Sequence, residues 1–304
     1  MAVTVSTKNM KRSPFFYVGD KFKLLPQLKA NFPKEIKRFI EPFCGGGSVF
    51  LNVDADSYLL NDIDKNMICL HKFLLAYSNE PNIFWSEVER LIISYNLSAT
   101  FMGRLVPQGL RKQFVKTYFA KYNKEAYHRM RADYNANHNP FLLYLLMIYG
   151  FNRFLRFNSN GEFNLPVGNV DFNQRVVNAL NEYFERVQGK QIEFFNLDFQ
   201  EFLEIIRPTA GDLVYLDPPY LITFSEYNKL WNEESEMRLI DSLDQLNARK
   251  VRFAVSNILW HRTRYNGVFN RWAQQYNIVN IQSNYISFHD NTAKDSIEVL
   301  VKNF

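Results

Sequence analysis

The 304-residue sequence predicts an α/β protein, a doubly wound, mostly parallel sheet with an inserted, partly helical domain. Three observations carry that expectation. Short apolar runs alternate with helical patterns in two separate blocks. The stretch between the blocks has a different character, being basic, aromatic and rich in turn signals. The 47% hydrophobic content is enough for a sizeable core in a chain of this length.

The first block holds strand-like runs at residues 38–41 and 58–61. The second holds them at 192–195, 213–217, 251–256, 278–282 and 297–301. Helical patterns cover residues 172–187 and 233–246. Between the blocks, residues 111–135 mix lysines and arginines with aromatics, residues 141–149 are apolar, and residues 156–164 read as a β-hairpin. The expected division is a catalytic unit formed by 1–77 with 170–304, and an insert at 78–169.

Composition excludes several classes. The net charge of +5 favours an anionic partner. Cys44 and Cys69 make neither a zinc spacing nor a disulfide scaffold, so a reducing compartment is expected. His71, His128, His138, His261 and His289 are scattered with no pair at a ligand spacing, and no metal is expected. The first thirteen residues are polar with no apolar signal core, and no run is long enough to span a membrane.

Two loops carry the chemistry. Asp217-Pro218-Pro219-Tyr220 follows the apolar run Leu213-Val214-Tyr215-Leu216, so it stands at the carboxyl end of a buried strand. Open α/β sheets bind their ligands there. The prolines lack N–H groups and hold carbonyls outward. A carboxylate and a free carbonyl are two acceptors, and an exocyclic amino group has two N–H donors. A tyrosine adds a face on which a flat base can stack. The other loop is Glu41-Pro42-Phe43-Cys44-Gly45-Gly46-Gly47-Ser48, a glycine-rich turn between a strand and a helical start. It has neither the Lys-Ser/Thr ending of a phosphate-binding P-loop nor the G-x-G-x-x-G spacing of a dinucleotide fingerprint. It reads as a close approach of backbone to ligand, or as a plain tight turn. Asp62, at the end of the next strand, suits ribose hydroxyls, and Asp64 suits a helix cap.

Together these residues resemble the alpha group of DNA adenine-N6 methyltransferases, the Dam-like family. Glu41-Pro42-Phe43-x-Gly45-x-Gly47-Ser48 is similar to its cofactor loop, and Asp217-Pro218-Pro219-Tyr220 to its catalytic motif. Tyr17-Val18-Gly19-Asp20-Lys21 resembles its N-terminal motif, with Asp20 in place of a glycine. Between them, Tyr149-Gly150-Phe151-Asn152 and the run from Arg156 to Gly168 resemble its target-recognition hairpin. The order of these motifs defines the group, and the resemblance runs from about Pro14 to the end. The C-terminal half looks closest to enzymes of restriction-modification systems, which bears on target sequence; no nuclease motif is evident in the sequence, so any cognate restriction endonuclease is expected on a separate polypeptide.

The resemblance implies a Rossmann-like class I methyltransferase fold, a prokaryotic cytoplasmic setting at the nucleoid, double-stranded DNA as partner and S-adenosyl-L-methionine as methyl donor. It assigns cofactor contacts to Tyr17, Lys21, Glu41, Pro42, Phe43, Gly45, Gly47, Ser48, Asp62, Asp198, Phe199 and Asp217. Asp198 would meet the cofactor's adenine amino group; a helix N-cap is the alternative for it. Asp217 and the Pro218 carbonyl would accept the two N6–H bonds of a flipped adenine, and Tyr220 would stack on it, for a direct in-line transfer. Pro219 completes the catalytic motif. Residues 222–231 would form a lid.

For DNA, Arg156 matches the arginine that grips a guanine through O6 and N7, here the G before the target A. Phe151, Asn152 and Phe154 fall where the family wedges side chains into the gap left by flipping, and Asn158 and Pro166 lie in the same hairpin. Asn160-Gly161 predicts a two-residue turn. Lys112 and Lys116 suit phosphates, or form the solvated face of an amphipathic helix. GATC and a longer site beginning G-A-T both accommodate these assignments. Methylation of RNA or a protein amide, and a silent DNA-binding scaffold, are the competing readings.

Overall fold

Alternation along each strand decides which layer of the molecule receives each side chain. The computed structural model describes residues 9–223, 231–282 and 296–304. Eight strands are present among them: β1 (Arg38–Glu41), β2 (Ser57–Asn61), β3 (Gln191–Phe195), β4 (Leu213–Leu216), β5 (Arg252–His261), β6 (Arg264–Tyr265), β7 (Asn277–Ile281) and β8 (Ser296–Lys302). Phe39, Tyr58, Leu60, Tyr215 and Ala254 enter one apolar core. Their neighbours Ile40, Leu59, Val214, Leu216, Phe253 and Val255 enter the other. A period of two thus buries both faces of the central strands, as a doubly wound sheet requires.

The sheet order is β3-β2-β1-β4-β5-β8-β7, with β6 paired to β5. β1 to β5 run parallel, while β8 is antiparallel to both of its neighbours. The chain leaves β1 toward β2 and β3, then returns to lay β4 on the other side. The topological switch therefore falls between β1 and β4, and their carboxyl ends open into one crevice.

The helices are α1 (Leu25–Ala30), α2 (Lys65–Ala76), α3 (Pro81–Tyr95), α4 (Gln108–Gln113), α5 (Tyr118–Asn137), α6 (Pro140–Tyr149), α7 (Gln174–Val187), α8 (Phe199–Ile206), α9 (Glu233–Ala248) and α10 (Gly267–Ala273). Asp64 caps α2, accepting from the N–H groups of Asn66 and Met67. α6 starts on a proline, which needs no N–H partner in the first turn. Asn139 caps it through Phe141 N, and every residue from Phe141 to Tyr149 is buried. The insert and the sheet share a continuous core, in which Tyr127, Tyr144 and Leu146 join Phe39 and Leu60.

All seven expected strands are present. β5 is longer than expected, continuing to His261, and β6 was not expected. The turn of the 156–164 hairpin also differs. Asn158 N bonds Glu162 O, so three residues form the loop, with Gly161 at φ +79°. The reason is Asn158, whose side-chain oxygen accepts from the N–H groups of Asn160 and Glu162 and widens the turn.

Candidate active site

The glycine loop leaves β1 and folds back under its own braces. Gly45 and Gly47 have φ of +46° and +75°, a region that costs other residues strain. A Cβ at Gly47 would stand 2.4 Å from Phe50 and 2.8 Å from His71. Gly45 N–H donates to Asp62 Oδ2 at 2.8 Å, while Asp62 Oδ1 accepts from Asp64 N–H at 2.9 Å. Burial pushes the Asp62 carboxyl up to about 6, against the pull of those two N–H groups. The ring of Tyr17 lies along the loop, where a Cβ at Gly46 would stand 2.6 Å from its Cβ. Ser13 Oγ donates to the Gly46 carbonyl.

His71 was not singled out in the sequence, yet it holds this loop from beneath. Burial lowers it to about 4, so the ring is neutral at pH 7. Its Nε2–H therefore donates to the Gly45 carbonyl at 2.8 Å. The ring stacks on Phe194 at 4.7 Å and meets Phe15 edge-on at the same separation. Asn61 does similar work between loops. Its Nδ2 donates to the carbonyls of Pro42 and Leu197, and its Oδ1 accepts from Leu197 N–H. That stitches the cofactor-loop candidate to the loop that carries Asp198.

Across the switch point, Asp217 follows β4. Its Oδ2 pairs with Lys21 Nζ at 2.8 Å, and its Oδ1 accepts from the Tyr220 hydroxyl at 2.9 Å. The same hydroxyl lies 3.2 Å from Glu298 Oε1, which is 4.0 Å from Lys21 Nζ. The Lys21 ammonium also sits 5.0 Å from the centre of the Tyr220 ring. Burial works to lower the Lys21 pKa, but Asp217 and Glu298 outweigh it and raise it. A buried ammonium between two carboxylates is thereby kept charged. Glu298 is a residue sequence reasoning missed. Its signal was a lone acid inside the apolar strand Ser296-Ile297-Glu298-Val299-Leu300-Val301. Lys21, from the N-terminal motif, and Asp217, from the catalytic motif, are brought together as a direct ion pair.

Glu41 is fully buried near this pair. Burial first, then the Asp217 charge, raises its pKa well above the ordinary carboxylate range. Its Oε2 has no hydrogen-bond partner among the described residues. Asp20, in the position where a glycine was expected, accepts from Phe22 N–H and lies 3.6 Å from Arg12. Ser48 is buried beside the loop.

Asp198 caps α8, accepting from Gln200 N–H, and pairs with Arg238 at 2.6 Å. The alternative reading of Asp198 as an N-cap therefore describes this structure. Phe199 is buried against Phe43 at 5.2 Å and Trp231 at 5.9 Å, with the Arg238 guanidinium over its ring. Trp231 in turn contacts Phe43 at 5.7 Å, and its indole N–H donates to Glu236 at 2.8 Å. Residues 224–230 of the expected lid lie outside the described residues.

The expected recognition hairpin packs on the end of α6, where Gly168 N–H donates to the Tyr149 carbonyl. Gly150 and Gly168 approach so closely that a Cβ at Gly168 would stand 2.5 Å from the Gly150 carbonyl oxygen. Phe151 N–H donates to the Pro166 carbonyl at 2.9 Å, which sets the two exposed residues side by side. Asn152 and Arg153 both have φ above +50°, and Phe151 is 53% exposed. Phe154 is half-buried. Arg156 donates through Nε to Asn164 Oδ1 at 2.8 Å and through Nη2 to the Asn164 carbonyl at 2.7 Å. One edge of the guanidinium is thus fixed and its outer end is presented. Lys116 is exposed, and its carbonyl accepts from Asn169 beside Gly168. Lys112 is exposed on α4 with no such tie among the described residues. On α5 the buried residues Asn123, Ala126, Tyr127, Met130 and Tyr134 form one face, so Lys121, Lys124 and Arg129 lie on the solvated one.

A glycine loop after β1 and a carboxylate-proline-proline-tyrosine turn after β4 meet at one topological switch point, the arrangement of a class I methyltransferase, and comparison with known proteins agrees. The chain belongs to the D12 class of N6 adenine-specific DNA methyltransferases, whose family model matches residues 17–286. It is 34% identical over 311 residues to the modification methylase StsI of Streptococcus sanguinis, covering 98% of this chain and 44% of that protein. It is 34% identical over 307 residues to the type II methyltransferase M.FokI of Planomicrobium okeanokoites, with the same two coverages. The DNA adenine methylase of Escherichia coli strain K12 is 28% identical over 261 residues, 82% of each chain. The chain spans less than half the length of the first two relatives. Among the described residues, no helix is long and apolar enough to cross a membrane, and no group of His, Cys, Asp and Glu is placed to hold a metal ion.

Proposed function

We infer that this chain is a site-specific methyltransferase acting on double-stranded DNA, with S-adenosyl-L-methionine as donor and N6 of a flipped adenine as acceptor. The observation that carries the reading is Asp217, held by Lys21 at the carboxyl end of β4 directly across the switch point from the glycine loop. The residues fit the donor: the buried Glu41 Oε2, without a hydrogen-bond partner among the described residues, is an acceptor that an ammonium group would satisfy. Glu41, the loop from Pro42 to Ser48, Asp62, Tyr17 and the Phe43–Phe199–Trp231 aromatic cluster would hold it. When bound, it supplies a methyl carbon made electrophilic by a sulfonium.

The chain's own residues activate the base, hold it and read its neighbours. Asp217 and the Pro218 carbonyl accept the two N6–H bonds, which draws the amino nitrogen toward a tetrahedral shape and frees its lone pair. Asp217 also opposes the positive charge that N6 develops, an effect worth most where water is excluded. Tyr220 supplies a stacking face for the extruded base. The proton leaves after transfer, so a strong base is unnecessary. Arg156, aimed by Asn164, reads the guanine beside the target, and Phe151 with Asn152 fills the vacated stack.

The direct test incubates the protein with labelled S-adenosylmethionine and duplex DNA of mixed sequence, then digests the DNA to nucleosides. Label should elute as N6-methyladenine and map next to a guanine. Label in RNA or protein but not in duplex DNA would sink the reading.

A further inference from the structure

β5 overruns the edge of the sheet on which the active site stands. In the parallel register, Leu216 of β4 lies level with Val255 of β5. β4 ends there and Asp217 follows, but β5 continues through Ser256 to His261. Six further residues at about 3.3 Å each carry it roughly 20 Å past that level. β8 accompanies it as far as the Ser296–His261 pair, and β6 folds back along it. Ile258, near the root of this arm, packs against Tyr220 of the catalytic motif.

The tip has the composition of a nucleic-acid contact. His261 pairs with Arg264, leaving Arg262-Thr263 as a two-residue turn. Arg262 holds φ +56° at the first turn position, which glycine or asparagine would fill without strain. Keeping an arginine there is a local cost of the kind found at functional sites. Arg262, Thr263 and Arg264 are exposed. Trp260 and Tyr265 stand beside them, 40% and 51% exposed, with ring centres 6.0 Å apart. Arg262 and Arg264 place two positive charges at the turn, and no acidic residue falls between Asp244 and Asp290 in the sequence.

We propose that the β5–β6 arm is a second duplex-DNA contact, in which Arg262 and Arg264 engage phosphates flanking the target while Trp260 and Tyr265 bear on the sugar edge. The inference rests on the reading of duplex DNA as substrate. It adds a phosphate grip carried by the catalytic unit itself, independent of the recognition hairpin. Such contacts fix register on the duplex and carry no base readout.

The test is equilibrium binding to a specific duplex across a salt series, for wild type and for the double variant Arg262→Gly with Arg264→Gln. Glycine suits the positive φ, so the turn is preserved. Losing two phosphate contacts should make the slope of log affinity against log salt shallower by about 1.8. At saturating DNA the methylation rate should stay within about twofold, because phosphate contacts act on binding. Thr263→Glu, which places a negative charge between the two arginines, should weaken binding further. A hydroxyl-radical footprint of the wild-type complex should show flanking protection that disappears in the variant. An unchanged slope and footprint, in a wild type that methylates DNA, would overturn the arm alone. A wild type that neither binds nor methylates duplex DNA would overturn the arm together with the function it rests on.

Discussion

Both carboxylate oxygens of Asp217 are engaged before any base arrives, Oδ2 by Lys21 and Oδ1 by the Tyr220 hydroxyl. An adenine amino group bound there must displace one of them, and the phenol is the neutral, weaker partner. Tyr220→Phe should therefore keep methyl transfer within about tenfold of wild type, since it opens Oδ1 and keeps the ring. Tyr220→Ala should lose base stacking, about 1–3 kcal/mol by analogy with other base–aromatic contacts, and its DNA KM should rise accordingly. Equal losses in both variants would contradict the displacement. Asp62 gives a pH prediction. Its carboxyl binds a proton below about 6, and the charged form that accepts from Gly45 and Asp64 dominates above. Cofactor affinity, followed by calorimetry, should thus rise as pH increases through about 6 in wild type and stay flat from pH 5 to 7 in Asp62→Asn. At this scale the glycine loop and the Asp217–Tyr220 motif were legible because each is a short run at a strand end. Glu298, His71 and Asn61 were not, because their partners lie elsewhere in sequence and only the sheet register or, for His71, the packing of α2 brings them in.

At the scale of elements, the proposed recognition hairpin depends on two devices. Asn164 grips one edge of Arg156 through two hydrogen bonds. Asn164→Ala should relax discrimination at the neighbouring guanine, by up to the 1–3 kcal/mol that a bidentate base contact contributes. Comparing methylation of substrates with guanine and with 7-deazaguanine or adenine at that position measures it. Gly168 lets two backbones meet, and Gly168→Ala would press a methyl onto the Gly150 carbonyl. Overpacking of this kind costs about 1–3 kcal/mol. A lowered Tm with weakened DNA binding is expected, whereas unchanged DNA binding would show that the Phe151–Pro166 pairing does not matter. The strands were readable from apolar runs, and α6 from its continuous apolarity. The hairpin loop was misread because Asn158 outcompetes the Asn160-Gly161 turn signal with its own side-chain bonds. The length of β5 was missed because Ser256 and Asn257 break the apolar pattern while still pairing with β8.

For the whole molecule, the order β3-β2-β1-β4-β5-β8-β7 places the glycine loop and Asp217 at one switch point. The sequence showed an alternation of elements, and with it the sheet class. It could not show that residues of the expected insert, 78–169, share the core of the sheet, because shared burial is invisible in local patterns. Tyr127, Tyr144 and Leu146 of the insert pack into the same core as Phe39 and Leu60. Unfolding should accordingly be a single cooperative transition, with tertiary and secondary probes coinciding. Two separated transitions would mean that the insert is an autonomous unit.

The central claim, that Asp217 serves as the hydrogen-bond acceptor for an adenine amino group, is tested most directly by single-turnover methyl transfer to duplex DNA, comparing wild type with Asp217→Ala under conditions where both are saturated with S-adenosylmethionine. The account predicts N6-methyladenine from wild type, and a rate in the variant lower by at least the 10²–10³ typical of losing one preorganised electrostatic group. Transfer at a comparable rate by the variant would contradict it, as would a wild type that binds the cofactor and leaves duplex DNA unlabelled.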